Sequence, residues 1–265
     1  MELTVRGAKV LATTGGRALD PSLPLLIFVH GAAADRTVWQ LQTRYFAHHG
    51  YSVLAVDLPR HGGSNGELIE TIEAYADWLV AAIGEAGYDS AHLVGHSMGS
   101  LISLESASRH PERVKSLVLA AAASEVEVHP ALMVAAENDE HLAFELLTSW
   151  SHGRWGHLGG HRTPGLWMLG STMRLWERAR AGVLVNDLRA CDNYANGALA
   201  STAVRCPTLM VNGELDTMTP SDNAQPLRDN IAGVEEIVIE GAGHAMIVES
   251  PDPVIDAIAE FLGRR

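Results

Sequence analysis

Gly95-His96-Ser97-Met98-Gly99 follows the apolar run Ala91-His92-Leu93-Val94 and precedes Ser100-Leu101-Ile102-Ser103-Leu104. These flanks predict a strand, a sharp turn and a helix. A G-x-S-x-G pattern at such a junction holds its serine in a strained turn, with the hydroxyl projecting above the sheet. The glycines two positions before and after keep side chains from colliding with the adjoining backbone. The helix that starts at the serine points free N–H groups toward developing negative charge. Ser97 is therefore the candidate nucleophile.

Working outward, residues 3–6 and 9–13 read as short opening strands, a hairpin at the sheet edge. Leu25-Leu26-Ile27-Phe28-Val29-His30 is a continuous apolar run, the pattern of a strand buried on both faces. Residues 36–49 are predicted helical, with Val38, Leu41, Tyr45 and Phe46 on one stripe, and Gly50 stops the helix. A strand over 52–57, an amphipathic helix over 70–85, the strand over 91–95, a helix to Arg109 and a strand over 114–121 follow. Strands alternating with helices through short links imply an α/β fold, a doubly wound, mostly parallel sheet covered on both faces. The rhythm breaks after Ala123. Residues 124–204 carry helical patterns, notably over 131–150 and 166–180, and no buried strand. The parallel pattern resumes at Pro207-Thr208-Leu209-Met210-Val211-Asn212, then a helix over 221–231, a strand over 236–240 and a final helix over 254–262. The expected organisation is a core domain of residues 1–123 and 205–265 with a helical cap, 124–204, inserted at the carboxyl end of the sheet, where ligands bind in such folds.

A serine hydroxyl is a poor nucleophile at neutral pH. It needs a base in hydrogen-bond contact, and the base needs an orienting acid. In this architecture the order along the chain is serine, acid, histidine. Asp216 is the expected acid, in Asn212-Gly213-Glu214-Leu215-Asp216 after a late strand, with Glu214 as the substitute. A turn or helix-capping role ahead of Thr219-Pro220 is the structural alternative for Asp216. His244 is the expected base, in Gly241-Ala242-Gly243-His244 directly after the last strand, where two glycines permit a sharp turn. An oxyanion needs at least two N–H donors. One is expected from Met98, after the nucleophile, and the other from Ala32 in His30-Gly31-Ala32-Ala33.

Taken with Asp57-Leu58-Pro59-Arg60-His61-Gly62-Gly63-Ser64, these stretches make the chain resemble the α/β-hydrolase superfamily, of the kind with an inserted cap. The resemblance covers most of the chain outside 124–204 and is specific for fold and triad, not for substrate. It implies a serine hydrolase acting on a small carboxylic ester, thioester or lactone through an acyl-enzyme, with no cofactor. The same motifs occur in carbon–carbon bond hydrolases, in cofactor-free haloperoxidases (perhydrolases), and in small-molecule receptors that retain the fold. Dehalogenases and epoxide hydrolases use aspartate at the nucleophile position, so Ser97 argues against both. Asp57 reads as a loop residue in this family. His30 and His96 read as anchors of the oxyanion and elbow loops, and His61 as a candidate for the pocket rim.

The chain has 265 residues, an apolar fraction of 47% and a net charge of −13, which argues against nucleic acid and anionic membranes as partners, and the resemblance implies a small-molecule substrate. Cys191 and Cys206 form no C-x-x-C pair, which fits a reducing compartment, and no secretory or membrane-spanning pattern is visible. The expected location is the cytoplasm. His152, His157 and His161 recur in a glycine-rich stretch but match no metal motif, so no metal is expected. Trp150, Trp155, Trp167 and Trp176 can either line an acyl pocket or fill the cap core.

Overall fold

The computed structural model describes residues 1–160 and 165–263. Its strands are β1 (Glu2–Val5), β2 (Ala8–Thr13), β3 (Leu25–Val29), β4 (Ser52–Val56), β5 (Ala91–His96), β6 (Val114–Ala120), β7 (Thr208–Gly213) and β8 (Glu235–Ile239). They form one sheet of order β1-β2-β4-β3-β5-β6-β7-β8. The first two strands pair antiparallel, β2 runs antiparallel to β4, and all pairs from β4 to β8 are parallel. This is the doubly wound α/β sheet, with the antiparallel hairpin at one edge.

Around it lie α1 (Gln40–Ala47), α2 (Ile72–Glu85), α3 (Met98–Arg109), α4 (Pro130–Glu137), α5 (Leu142–Ser151), α6 (Arg154–His157), α7 (Met168–Trp176), α8 (Val183–Asp192), α9 (Gly197–Ala203), α10 (Gln225–Asn230), α11 (Met246–Glu249) and α12 (Pro251–Gly263). The period-2 geometry of β3 explains its unbroken apolar run. Leu25, Ile27 and Val29 join the core under α2 and α3, while Leu26 and Phe28 join the opposite core with Phe46, Ile258 and Phe261. A third core lies between β6 and β7 in the chain, where Leu132, Ala135, Leu147, Val183, Leu184 and Leu188 pack together and against Ala33.

Local patterns erred where tertiary context decides. Leu41 is 51% exposed, because α1 turns Gln42, Thr43, Phe46 and Ala47 inward instead. Gln42 is tolerated there because its Nε2 donates to the Ile247 carbonyl at 2.8 Å. The helix expected over 131–150 is two helices. Asn138 ends α4, and Asp139 turns the chain back at φ +55°, a conformation Asp accepts more readily than most residues. Among the described residues, no helix is long and apolar enough to cross a membrane.

Candidate active site

Ser97 stands between the end of β5 and the start of α3 with φ +56° and ψ −121°. Such a conformation costs of order 1–3 kcal/mol and persists only where the surroundings enforce it. Here the Ser97 N–H donates to the Ala120 carbonyl at 3.0 Å. Glycine is required on both sides. A Cβ on Gly95 would stand 2.0 Å from the Gly99 carbonyl oxygen, and one on Gly99 would stand 2.3 Å from that of Val29.

Three side chains far apart in the chain meet at this turn. His244 Nε2 lies 2.9 Å from Ser97 Oγ, and His244 Nδ1 lies 2.9 Å from Asp216 Oδ2. Asp216 lies in the turn after β7 and His244 in the loop after β8, both buried. The carboxylate is fully partnered. Its Oδ1 accepts the N–H groups of Met218 and Thr219, both at 2.9 Å, and its Oδ2 also accepts the Thr219 hydroxyl at 2.8 Å. Burial opposes ionisation of Asp216, but the His244 charge and these hydrogen bonds prevail and bring its pKa down to about 2. The turn role and the histidine-orienting geometry thus coexist in one residue. Glu214 is engaged elsewhere, its Oε2 accepting the Gly241 N–H at 2.8 Å.

The expected oxyanion donors flank the serine. Met98 opens α3, so its N–H has no helical acceptor. Ala32 lies in the loop after β3, beside Gly31, whose Cβ would fall 3.1 Å from Ser97 Cβ. His30 fixes this loop. Its Nδ1 donates to the Gly31 carbonyl at 2.9 Å and its Nε2 accepts the Leu58 N–H at 3.2 Å, a pattern that requires the neutral ring. Burial and the nearby His61 charge push its pKa down to about 4, in agreement. His96 donates to the His244 carbonyl at 2.7 Å and, chiefly through burial, is held neutral with its pKa pushed down to about 3.

Two motif residues take structural places. Asp57 is buried, pairs with Arg36 and accepts the Gly63 N–H at 2.8 Å. His61 does not reach the pocket rim. It is buried, and its Nε2 meets Asp187 Oδ2 at 2.7 Å. The same Asp187 oxygen accepts the N–H of Ala33, next to the oxyanion loop, at 2.9 Å. Burial works against both charges. The Asp187 carboxylate nevertheless raises the His61 pKa, and His61 with the Ala33 N–H lowers that of Asp187, leaving an ion pair. Asp187 sits in α8, and no motif announced it. An aspartate on the buried face of an amphipathic helix was the available signal.

A cavity of about 660 Å³ opens over Ser97 and His244. Of the four tryptophans between β6 and β7, Trp150 and Trp176 line it, while Trp155 and Trp167 are 61% and 71% exposed. Cys191 also lines it, a residue no pattern singled out. Both cysteines are free. His152 Nδ1 donates to the Thr148 carbonyl at 3.0 Å, and His157 Nε2 lies 3.0 Å from that of Ser149. His161 lies outside the described residues, among which no cluster of His, Cys, Asp and Glu is arranged for a metal. Glu249 ties the helical segment to the histidine loop, its oxygens accepting the N–H groups of Gly153 and Gly243 at 2.8 and 2.9 Å.

The profile of the alpha/beta hydrolase family matches residues 26–257. Among curated proteins, the chain is 27% identical to a pimeloyl-[acyl-carrier protein] methyl ester esterase of Aeromonas hydrophila, over 91% of this chain and 96% of that one. It is 24% identical to an (E)-2-((N-methylformamido)methylene)succinate hydrolase of Acinetobacter baylyi, over 89% of each chain. Among solved structures, the enol-lactonase from Burkholderia xenovorans LB400 superposes with a TM-score of 0.85 at 20% identity, covering 99% of this chain and all of that one.

Proposed function

The chain belongs to the alpha/beta hydrolase family, and on that premise we propose that it is a serine hydrolase of small carboxylic esters, thioesters or lactones, working through an acyl-enzyme. The observation that carries this is the run of two 2.9 Å contacts from Ser97 Oγ through His244 to Asp216. Ser97 attacks the substrate carbonyl while His244 Nε2 takes its proton. Asp216 fixes the imidazole with Nδ1 protonated and stabilises the cation that forms. The N–H groups of Ala32 and Met98 bind the oxyanion, and such a donor is typically worth about 2.7–4 kcal/mol of barrier. His244 then hands the proton to the leaving group. In the second half it activates a water, which releases the acid and restores Ser97. The Ser97 proton departs with the leaving group and one proton of the attacking water replaces it, so the cycle balances without a cofactor or metal.

Residues 1–123 and 205–265 act as the catalytic core and 124–204 as a cap that closes the substrate cavity. Glu249 and the Asp187–His61 pair hold the two together. Esterase and hydrolase activities named among the relatives support this reading. We place the protein in the cytoplasm, in keeping with two unpaired cysteines. The test is turnover of p-nitrophenyl butyrate by the wild type and by Ser97→Ala. The wild type should release p-nitrophenol, and the variant should lose at least about 10⁴-fold in kcat. A variant of undiminished rate would remove Ser97 from the mechanism. A wild-type protein that binds the ester tightly without cleaving it would favour a receptor.

A further inference from the structure

We infer that the cavity above Ser97 takes acyl groups that are uncharged and largely apolar, and that it discriminates against acyl groups ending in a carboxylate. This rests on the hydrolase reading and names the substrate class within it. Apolar side chains make up much of the lining, Leu132, Leu147 and Leu175 from the helical segment between β6 and β7 and Val38, Ile247 and Val248 from the rest of the chain. The ionisable side chains lining the cavity, among the described residues, are Glu127, His96, His129, Cys191 and His244, with no lysine or arginine.

None of these groups is a permanent cation, and His129 Nδ1 is occupied in accepting the Ala131 N–H at 3.2 Å. His96 is kept neutral by burial. His244 is committed to Asp216, whose carboxylate stays ionised directly behind it. Glu127 is exposed on the segment leaving β6 and lines the cavity, so it places a carboxylate at the solvent-facing part of the wall. Arg36 and Arg178 border an adjoining recess of about 260 Å³, and each is already paired there, Arg36 with Asp57 and Arg178 with Asp35. An entering carboxylate would shed its hydration without gaining a cation and would approach charges of its own sign. An alkyl chain in the same place exchanges water for apolar wall and gains by it. A volume of about 660 Å³ leaves room for a medium-length acyl chain together with its leaving group. The same preference disfavours diketo acids, and with them the carbon–carbon hydrolase alternative.

The experiment compares three p-nitrophenyl esters of equal acyl length on the full-length protein: hexanoate, the adipate half-ester with a free carboxylate, and that half-ester capped as its methyl ester. We expect kcat/KM for the two neutral esters to exceed that for the free acid by about a hundredfold or more. In Glu127→Gln, and at high salt, the gap should narrow only a few-fold, because an exposed carboxylate is a screened contributor. A free-acid ester cleaved as fast as its methyl-capped twin overturns the inference and leaves the hydrolase intact. Where turnover is too slow to rank, the rates at which a neutral alkyl fluorophosphonate and its ω-carboxylate analogue modify Ser97 read the same preference. Faster modification by the neutral probe supports it, and equal or reversed rates overturn it. If neither probe modifies Ser97, the hydrolase reading falls first and takes the inference with it.

Discussion

β3 buries all five of its residues against neighbouring strands and two helical layers, and its sequence is apolar from end to end. α8 also buries much of itself, but among its buried residues is Asp187, held by Ala33, His61 and Tyr75 from three separate parts of the core. The strand is specified by hydrophobicity alone. The helix is specified by partners that become neighbours only after folding. The sheet therefore sets where Ser97, Asp216 and His244 stand, while the helical segment contributes to the cavity over them and is fastened by a few buried polar contacts.

This contrast predicts that substitutions in the two regions fail differently. Asp216→Asn, on the sheet side, should lower kcat by about 10⁴-fold by favouring the wrong imidazole tautomer, with a smaller loss in urea unfolding than Asp187→Ala because asparagine can still accept the Met218 and Thr219 N–H groups. An equal loss of stability would blur the distinction. Asp187→Ala, on the helical side, leaves His61 buried without its counter-charge. It should cost about 3–5 kcal/mol in urea unfolding, while protein that remains folded still reacts at Ser97. Replacement by a well-packed apolar side chain together with His61→Leu should restore much of that loss, because a buried ion pair contributes little over apolar packing.

The ion pair also fixes a pH signature. His61 has a raised pKa, so its contribution is complete below the ordinary imidazole value of 6.5 and is lost as pH rises through the folded value. Asp187 has a lowered pKa, so its contribution is complete above the ordinary carboxylate value of 3.8 and is lost as pH falls through the folded value. The stability advantage of wild type over Asp187→Asn should therefore be largest between these two limits and shrink on either side. An advantage flat from acid to alkaline pH would show that the pair is not ionised. The smallest effect is expected at Trp167, 71% exposed, where Trp167→Ser should change stability by no more than about 0.5 kcal/mol.

What could be read in the sequence follows the same division. Ser97, Asp216 and His244 stand at strand ends, and a strand announces itself by its own apolar run, so all three could be placed in the chain before any contact was known. Asp216 could be preferred to Glu214, though only the fold shows Glu214 occupied by the Gly241 N–H. His61 was visible as part of a motif, but its partner lies 126 positions away, and no local pattern links them. The tryptophans divide for a related reason. Trp150 and Trp176 line the cavity, whereas Trp155 and Trp167 are exposed. Helical periodicity gives a face, not the direction in which tertiary packing turns it.

The most direct test of the account is to map by mass spectrometry where a fluorophosphonate attaches, in wild type and in His244→Ala. A single adduct on Ser97, formed at least about a hundredfold more slowly when the imidazole is gone, is the predicted result. Attachment to another residue with Ser97 unmodified, or a rate indifferent to His244, would contradict it.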